Sequence, residues 1–259
     1  MEMTFRQYID NPLGKRNAVF SQRDMYKNLY TDKFDKLLLR EAGKIDFALY
    51  YDDKDQYYAH IKIPSEGVKN FYYDAVIMFY TDDAVVHSQP TLDNYNVKFF
   101  SNDPAFVFTY LRVFLKNDLF FEDLKVKSSK LALKEDPKQT NPYQIPGYSK
   151  ILYFAYLFMK MKNLFAKYMY KTYGSKYNKK DFLKEIMHTD EKIALREELG
   201  KKEAAEKRKE EIKERREAIK KDNPQKNTSK SSNKIGLVKS TKSVKSTSSV
   251  KTTGKITKK

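Results

Sequence analysis

Apolar and polar positions alternate along two neighbouring stretches of this chain. Ile45, Phe47, Leu49 and Tyr51 precede Asp52-Asp53-Lys54-Asp55, and Tyr57, Ala59, Ile61 and Ile63 follow it up to Pro64. A period of two on both sides of a turn-forming cluster predicts a β-hairpin, because successive strand side chains point to opposite faces. Phe71 to Thr81 (FYYDAVIMFYT) is rich in aromatic and β-branched residues and predicts a third strand. Tyr95 to Phe100 (YNVKFF) predicts a fourth, after a polar loop through Pro90. Four antiparallel strands form the simplest sheet.

Helical signals surround this sheet. Thr4-x-x-Gln7 is a capping-box pattern, and Ser21-Gln22-Arg23-Asp24 opens a helix that runs to about Arg40, with Gly43 placed as its C′ residue. Ser101-Asn102-Asp103-Pro104 offers an N-cap and a first-turn proline ahead of AFVFTYLRVFL, which is apolar nearly all round and predicts a buried helix. Leu119 to Leu133 reads as one or two short helices, and Asp136 to Gly147, with three prolines, as a loop. Ser149 opens a second core helix that reaches about Thr172, with Gly174 as its stop, and Asp181 to Met187 forms a shorter amphipathic piece. The fold class is α+β, an antiparallel sheet of about four strands flanked by helices. The folded body spans residues 1–189: a helical lead over 1–43, the sheet over 44–100 and helices over 101–189.

Beyond the body the pattern changes twice. Asp190 to Lys221 holds ten acids and twelve bases, with Glu197–Lys201, Glu198–Lys202, Glu203–Lys207 and Glu211–Arg215 in the favourable Glu-first order at i,i+4. This predicts a long solvated helix over 190–221. Ala205, Ile212 and Ile219 recur every seven residues, a seam for a partner helix, although the companion positions are Arg and Glu. Residues 222–259 are Lys, Ser and Thr with isolated Val or Ile and no aromatic residue, a composition that cannot bury enough surface to offset ordering entropy. The expectation is a disordered basic tail.

Charge sharpens that division. The 259 residues carry a formal net charge of +17. From Lys220 to Lys259 twelve lysines face one acid, Asp222, a net +11 that leaves only +6 on everything before it. The candidate polyanion-binding residues are therefore Lys226, Lys230, Lys234, Lys239, Lys242, Lys245, Lys251, Lys255, Lys258 and Lys259. Each lysine that pairs with a phosphate releases counterions, which gives salt-sensitive binding without sequence preference. With Lys in place of Arg and no interleaved aromatics, neither bidentate base reading nor base stacking is implied. The tail also lacks the apolar face of a membrane-surface helix.

Composition removes several chemistries. The chain has no Cys, so disulfides, thiolate metal sites and cysteine nucleophiles are excluded. The N-terminus MEMTFRQYID has no apolar core of a secretory signal, so a place inside a cell or particle is expected. The longest apolar run, Ile151 to Met159, is nine residues against the roughly 18–20 that span a bilayer, and no membrane insertion is expected. Twenty Tyr, seventeen Phe and no Trp, with abundant Lys, Asn and Ile, match the codon usage of AT-rich genomes.

Candidate catalytic chemistry is sparse. Asp123-Leu124-Lys125 fits half of a metal-dependent nuclease signature, in which a carboxylate holds Mg²⁺ and the Lys supports the attacking water, but it falls in a predicted helix, not on a strand. Asp52, Asp53 and Asp55, or Asp82 and Asp83, lack the spacing of a calcium loop and read as turns. Gly14-Lys15-Arg16 lacks the first glycine of a phosphate loop, Asp10 standing in its place. The three histidines, His60, His87 and His188, read as satisfied structural or surface groups. Tyr57-Tyr58 and Phe71-Tyr72-Tyr73 are candidates for base-stacking rings on an open sheet face, but without an RNA-binding signature they read as packing. No cofactor, no metal and no enzymatic activity are expected, a divergent nuclease being the last alternative.

The segment from Ile61 to Phe114, IKIPSEGVKNFYYDAVIMFYTDDAVVHSQPTLDNYNVKFFSNDPAFVFTYLRVF, resembles poorly characterised proteins of tailed bacteriophages of AT-rich hosts. The resemblance covers about a fifth of the chain and brings no catalytic residues. It implies a non-enzymatic virion or assembly component in the phage particle or the bacterial host cytoplasm. Such a protein would act through protein partners or its own copies, with DNA or RNA on the basic tail. The alternative is a nucleic-acid-binding accessory protein whose body also binds.

Overall fold

The computed structural model describes residues 2–10, 22–40, 45–134, 141, 144, 146, 147 and 149–222, with the backbone alone at 10, 22–29, 40 and 220–222. The loop expected over 136–147 is thus described only in part. The motif at Gly14-Lys15-Arg16, the cap at Gly43 and all ten candidate lysines of the tail lie outside the described residues.

The predicted hairpin is present. β1 (Asp46–Tyr51) pairs antiparallel with β2 (Tyr57–Pro64) in the register Tyr51↔Tyr57 and Phe47↔Ile61. Asp52 closes the turn by accepting from the amides of Lys54 and Gln56, both at 2.9 Å, which leaves Asp55 at φ 55°. β3 (Tyr72–Tyr80) and β4 (Asn96–Ser101) extend the sheet antiparallel. A fifth strand corrects the expectation of a four-stranded, wholly antiparallel sheet: β5 (Ser175–Lys176) runs parallel to β1, giving the order β4-β3-β2-β1-β5. Two residues are too few for an alternating pattern to announce a strand.

Both faces of the sheet are covered, which explains why β3 reads as a near-continuous apolar run and why the polar-side positions Tyr58 and His60 of β2 are buried as well. On one face α1 (Phe5–Asp10) seats Phe5 against Phe79 and Phe99, and Tyr8 against Phe99. The capping box forms: the Thr4 amide donates to Gln7 Oε1 at 2.9 Å, and the Gln7 amide donates to Thr4 Oγ1 at 3.2 Å. α7 (Lys150–Met161), capped by Ser149, buries Leu152, Phe154 and Phe158 on the same face, and α2 (Gln22–Arg40) packs its Phe34 on Phe154. In the chain α3 (Ala84–Ser88) lies between β3 and β4, and α4 (Pro104–Thr109), α5 (Leu111–Lys116), a 3-10 turn (Glu122–Lys127) and α6 (Lys130–Lys134) lie between β4 and α7.

Three helical expectations change in detail. Asp83, read as a turn, caps α3 by accepting from the amides of Val85 and Val86, so the expected polar loop holds a helical turn. The buried helix after Asp103 is two helices that meet at Tyr110, whose φ of −118° ends α4. The helix from Ser149 also divides, into α7 and α8 (Lys167–Tyr173). There Asn163 takes φ 56°, and the chain trades helical bonds for a loop: the Leu92 amide donates to the Phe165 carbonyl at 2.8 Å and the Lys167 amide to the Pro90 carbonyl at 2.9 Å.

The second face is closed by α9 (Lys179–Glu185) and the start of α10 (Thr189–Asp222). Tyr50 and His60 meet the Phe182 ring edge-on, and Tyr58 stacks on Tyr177 with centroids 4.1 Å apart. The chain divides into two units, Met1–Lys209 and Glu210–Lys259. Within the first unit Leu195 and Leu199 of α10 pack against the core, and Glu203 accepts from the Lys69 amide at 2.6 Å. The helix expected over 190–221 is therefore not solvated along its whole length, because its early leucines serve the core. From Ala204 to Ile219 its side chains are exposed, and Glu198 pairs with Lys202 at 2.6 Å as the spacing predicts. No described helix is long and apolar enough to cross a membrane.

Candidate functional site

Asp123, Asp52, Asp53, Asp55, His87 and His188 are held by structural partners. Asp123 sits on the 3-10 turn, not on a strand, and its two oxygens accept from the Tyr177 hydroxyl at 2.8 Å and from Lys179 Nζ at 2.6 Å. The carboxylate of the Asp-Leu-Lys triplet thus ties the turn to the start of α9. Asp52 caps the hairpin and also accepts from the Tyr58 hydroxyl at 3.0 Å; Asp53 pairs with Lys176 at 2.9 Å, and Asp55 pairs with Lys171. His87 closes α3 with Nδ1 at 3.3 Å from the Tyr95 hydroxyl, and His188 Nδ1 accepts from the Asp190 amide at 3.2 Å. Among the described residues no three His, Asp or Glu side chains are gathered to hold a metal ion.

The aromatic pairs do not form an open platform. Tyr57 and Tyr58 are buried on opposite faces, against Tyr170 and Tyr177 respectively, and Phe71 and Tyr73 are buried as well. Burial pushes the Tyr58 hydroxyl well above its usual range, with Asp52 adding to the effect.

The cluster that sequence reasoning missed is built around His60. In β2 His60 stands opposite Val76 of β3, so Asp74, two residues away on the same face, is its diagonal neighbour. His60 Nε2 lies 2.9 Å from Asp74 Oδ1, and both side chains are almost wholly shielded from solvent. Asn102, just past β4, holds Asp74 twice: its Nδ2 donates to Oδ2 at 2.6 Å, and its Oδ1 accepts from the Asp74 amide at 2.8 Å. Lys192 of α10 brings its ammonium to 3.5 Å from Asp74 Oδ2 and over the Phe71 ring at 5.2 Å. On the far side of the imidazole, Glu185 of α9 lies 3.7 Å from Nδ1 and accepts from the Tyr50 hydroxyl at 2.5 Å.

The electrostatics follow from these contacts. Burial pushes the Asp74 carboxyl up, but the hydrogen bond and charge of His60, the Lys192 ammonium and the Asn102 amide together hold it below the usual carboxylate range. An ionised Asp74 accepts only, so His60 Nε2 carries the proton between them. Acid–base catalysis would need a reacting atom within hydrogen-bond reach of the imidazole. His60 is 1% exposed and the Phe182 ring stands beside it, so the arrangement works instead as a polar lock between the sheet, α9 and α10. One signal in the sequence pointed to it: Asp74 is the lone acid inside an apolar strand, and a buried carboxylate demands partners.

Comparison with protein-family models, with curated proteins and with solved structures finds no match for the chain.

Proposed function

We propose that this chain is a non-enzymatic structural or assembly protein, of the tailed-phage kind its central segment resembles, that works through contacts with protein subunits in the host cytoplasm or the virion. In this reading its C-terminal lysines contact nucleic acid or another polyanion. The observation that carries the reading is the charge distribution, with +11 of the net +17 lying in Lys220–Lys259. Two further features support it. The carboxylates and histidines considered for catalysis are engaged in turns, caps and the lock beneath α10. Ile212 and Ile219, seven residues apart on α10, are 50% and 64% exposed, which suits a partner helix.

The test is a full-length variant with all ten tail lysines changed to Gln, titrated against a short DNA duplex beside the native chain. The native chain is expected to bind with a log–log salt slope that steepens by about 0.9 for each phosphate engaged. The variant is expected to lose most of that slope; an unchanged slope would remove the polyanion role from the tail. Magnesium-dependent cleavage that vanishes on Asp123→Ala would replace this reading with the nuclease one.

A further inference from the structure

Tyr58 of β2 and Tyr177, between β5 and α9, lie face to face with ring centroids 4.1 Å apart and planes 11° from parallel. Among the described ring pairs no other is stacked in this way; the next flattest, Tyr58 on Phe121, is tilted by 35°. Each hydroxyl has its own carboxylate. Tyr58 donates to Asp52 Oδ2 at 3.0 Å, with Gln56 Oε1 also in reach at 3.1 Å, and Tyr177 donates to Asp123 Oδ2 at 2.8 Å. The charge of Asp123 also acts on the Tyr58 hydroxyl and that of Asp52 on the Tyr177 hydroxyl, so both hydroxyls stand at the same end of the stack. Near-parallel rings with their hydroxyls at one end set the ortho carbons of one over those of the other.

Packing alone does not call for this arrangement. Aromatic pairs pack as well edge-on as stacked, and a buried tyrosine hydroxyl is satisfied by any acceptor. Here burial and the carboxylates push both hydroxyls well above the usual phenol range, so both rings are neutral phenols that need a base to lose a proton. A carboxylate within hydrogen-bond reach is such a base. Lys179, 2.6 Å from the other oxygen of Asp123, fixes that carboxylate in place. Tyr58 is 3% exposed whereas Tyr177 is only partly buried, so an oxidant in solution meets Tyr177 first.

We propose that Tyr58 and Tyr177 form a site of oxidative cross-linking, at which a one-electron oxidant from solution joins the two rings as dityrosine. One electron leaves Tyr177 as its hydroxyl proton passes to Asp123, and a second leaves Tyr58 as its proton passes to Asp52. The two phenoxyl radicals couple through facing ortho carbons, forming one C–C bond. The hydrogen on each of those carbons then moves to the phenol oxygen of the same ring, and the carboxylates release their protons to water. Two electrons go to the oxidant and two protons to solvent, so the chain loses two hydrogen atoms. The link ties β2 to the segment that leads into α9, and the cover over the second face of the sheet becomes covalent. It depends neither on the tail lysines nor on the function proposed above.

The experiment is photo-oxidation of the full chain by ruthenium tris-bipyridyl with persulfate, which takes up both electrons as it splits into sulfate. Dityrosine fluorescence and mass spectrometry of proteolytic peptides are the readouts. The expected result is one dominant product within single chains, lighter by two hydrogens, whose linked peptides contain Tyr58 and Tyr177. Tyr177→Phe keeps the ring and is expected to abolish that product. Asp123→Asn is expected to slow its formation by about threefold or more, since an amide takes no proton. Unfolding in urea before oxidation is expected to reduce it by about tenfold or more, because the fold brings the rings together. Links that fall chiefly on Tyr168 and Tyr173, which are 58% and 70% exposed, overturn the proposal. So does a Tyr58–Tyr177 product that forms as readily in the unfolded chain, or an unchanged rate in Asp123→Asn.

Discussion

The imidazole of His60 and the carboxylate of Asp74, fourteen residues apart in sequence, meet at 2.9 Å in a position that solvent barely reaches. Asn102 and Lys192 complete the coordination of Asp74, so one carboxylate joins β2, β3, the end of β4 and α10. Removing one member of a buried charged pair leaves its partners desolvated and unmatched, at a cost of about 3–5 kcal/mol. Asp74→Ala is expected to lower unfolding free energy by about 3 kcal/mol or more, measured by urea denaturation. A loss below about 1 kcal/mol would mean that the cluster is not a stabilising lock.

Acid titration separates two buried carboxyls of opposite sign. Asp74 is held below its usual range, so its contribution is present above the unfolded value near ~3.9 and is lost as pH falls through the lower folded value. Asp103 is pushed above its usual range, so its contribution is present at low pH and is lost as pH rises through the raised folded value. Asp103→Asn keeps a capping oxygen for the Phe106 amide and removes the penalised charge. Its stability at neutral pH is expected to equal or exceed that of the native chain; a drop of more than about 1 kcal/mol would contradict the assignment.

Two glycines make a matched pair. A Cβ on Gly174 would stand 2.3 Å from the Tyr170 carbonyl oxygen and 3.1 Å from that of Leu49, where α8 turns into β5 beside β1. Gly174→Ala is expected to cost about 2 kcal/mol or more. Gly200, inside α10, would place a Cβ no closer than 3.9 Å to Val68 Cγ2. Gly200→Ala is expected to stabilise by about 0.5–1 kcal/mol, since glycine is a poor helix former. Thermal unfolding of both variants checks the contrast, and equal shifts would refute it.

The docked and exposed parts of α10 differ in a way hydrogen exchange can read. Leu195 and Leu199 pack on the core, and Lys192 reaches Asp74. Leu195→Asp is expected to raise exchange at amides of residues 189–209 by tenfold or more while those of β2 and β3 keep their protection. Loss of protection across the sheet as well would show that docking of the helix and folding of the sheet are one event.

Local patterns disclosed what local forces control. The hairpin followed from alternation on both sides of Asp52–Asp55, the first helix from Thr4 and Gln7, and α4 from Asp103 and Pro104. Long-range pairings were hidden for physical reasons. β5 owes its existence to the Tyr177 amide donating to the Tyr51 carbonyl at 2.7 Å, a bond that two polar residues cannot advertise. The break at Asn163 serves a loop seventy residues earlier, and helical propensity alone runs straight through it. Charge dominates the pattern of 190–221, and two leucines, Leu195 and Leu199, are too few among its twenty-two charged residues to mark a buried face. Of the lock, Asp74 was visible as an acid in an apolar strand, whereas Asn102, Glu185 and Lys192 join it only through the fold.

We propose that the lysine-rich C-terminal segment, and not the body, supplies affinity for nucleic acid. Its most direct test is a binding titration of the full chain and of residues 1–222, side by side, on a duplex with 5′-hydroxyl ends from about 50 to about 200 mM salt. The full chain is predicted to bind with a steep salt slope, and residues 1–222 to lose at least a hundredfold in affinity together with most of that slope. If residues 1–222 bind within a few-fold of the full chain and keep a substantial slope, the body is the nucleic-acid module and the account is wrong.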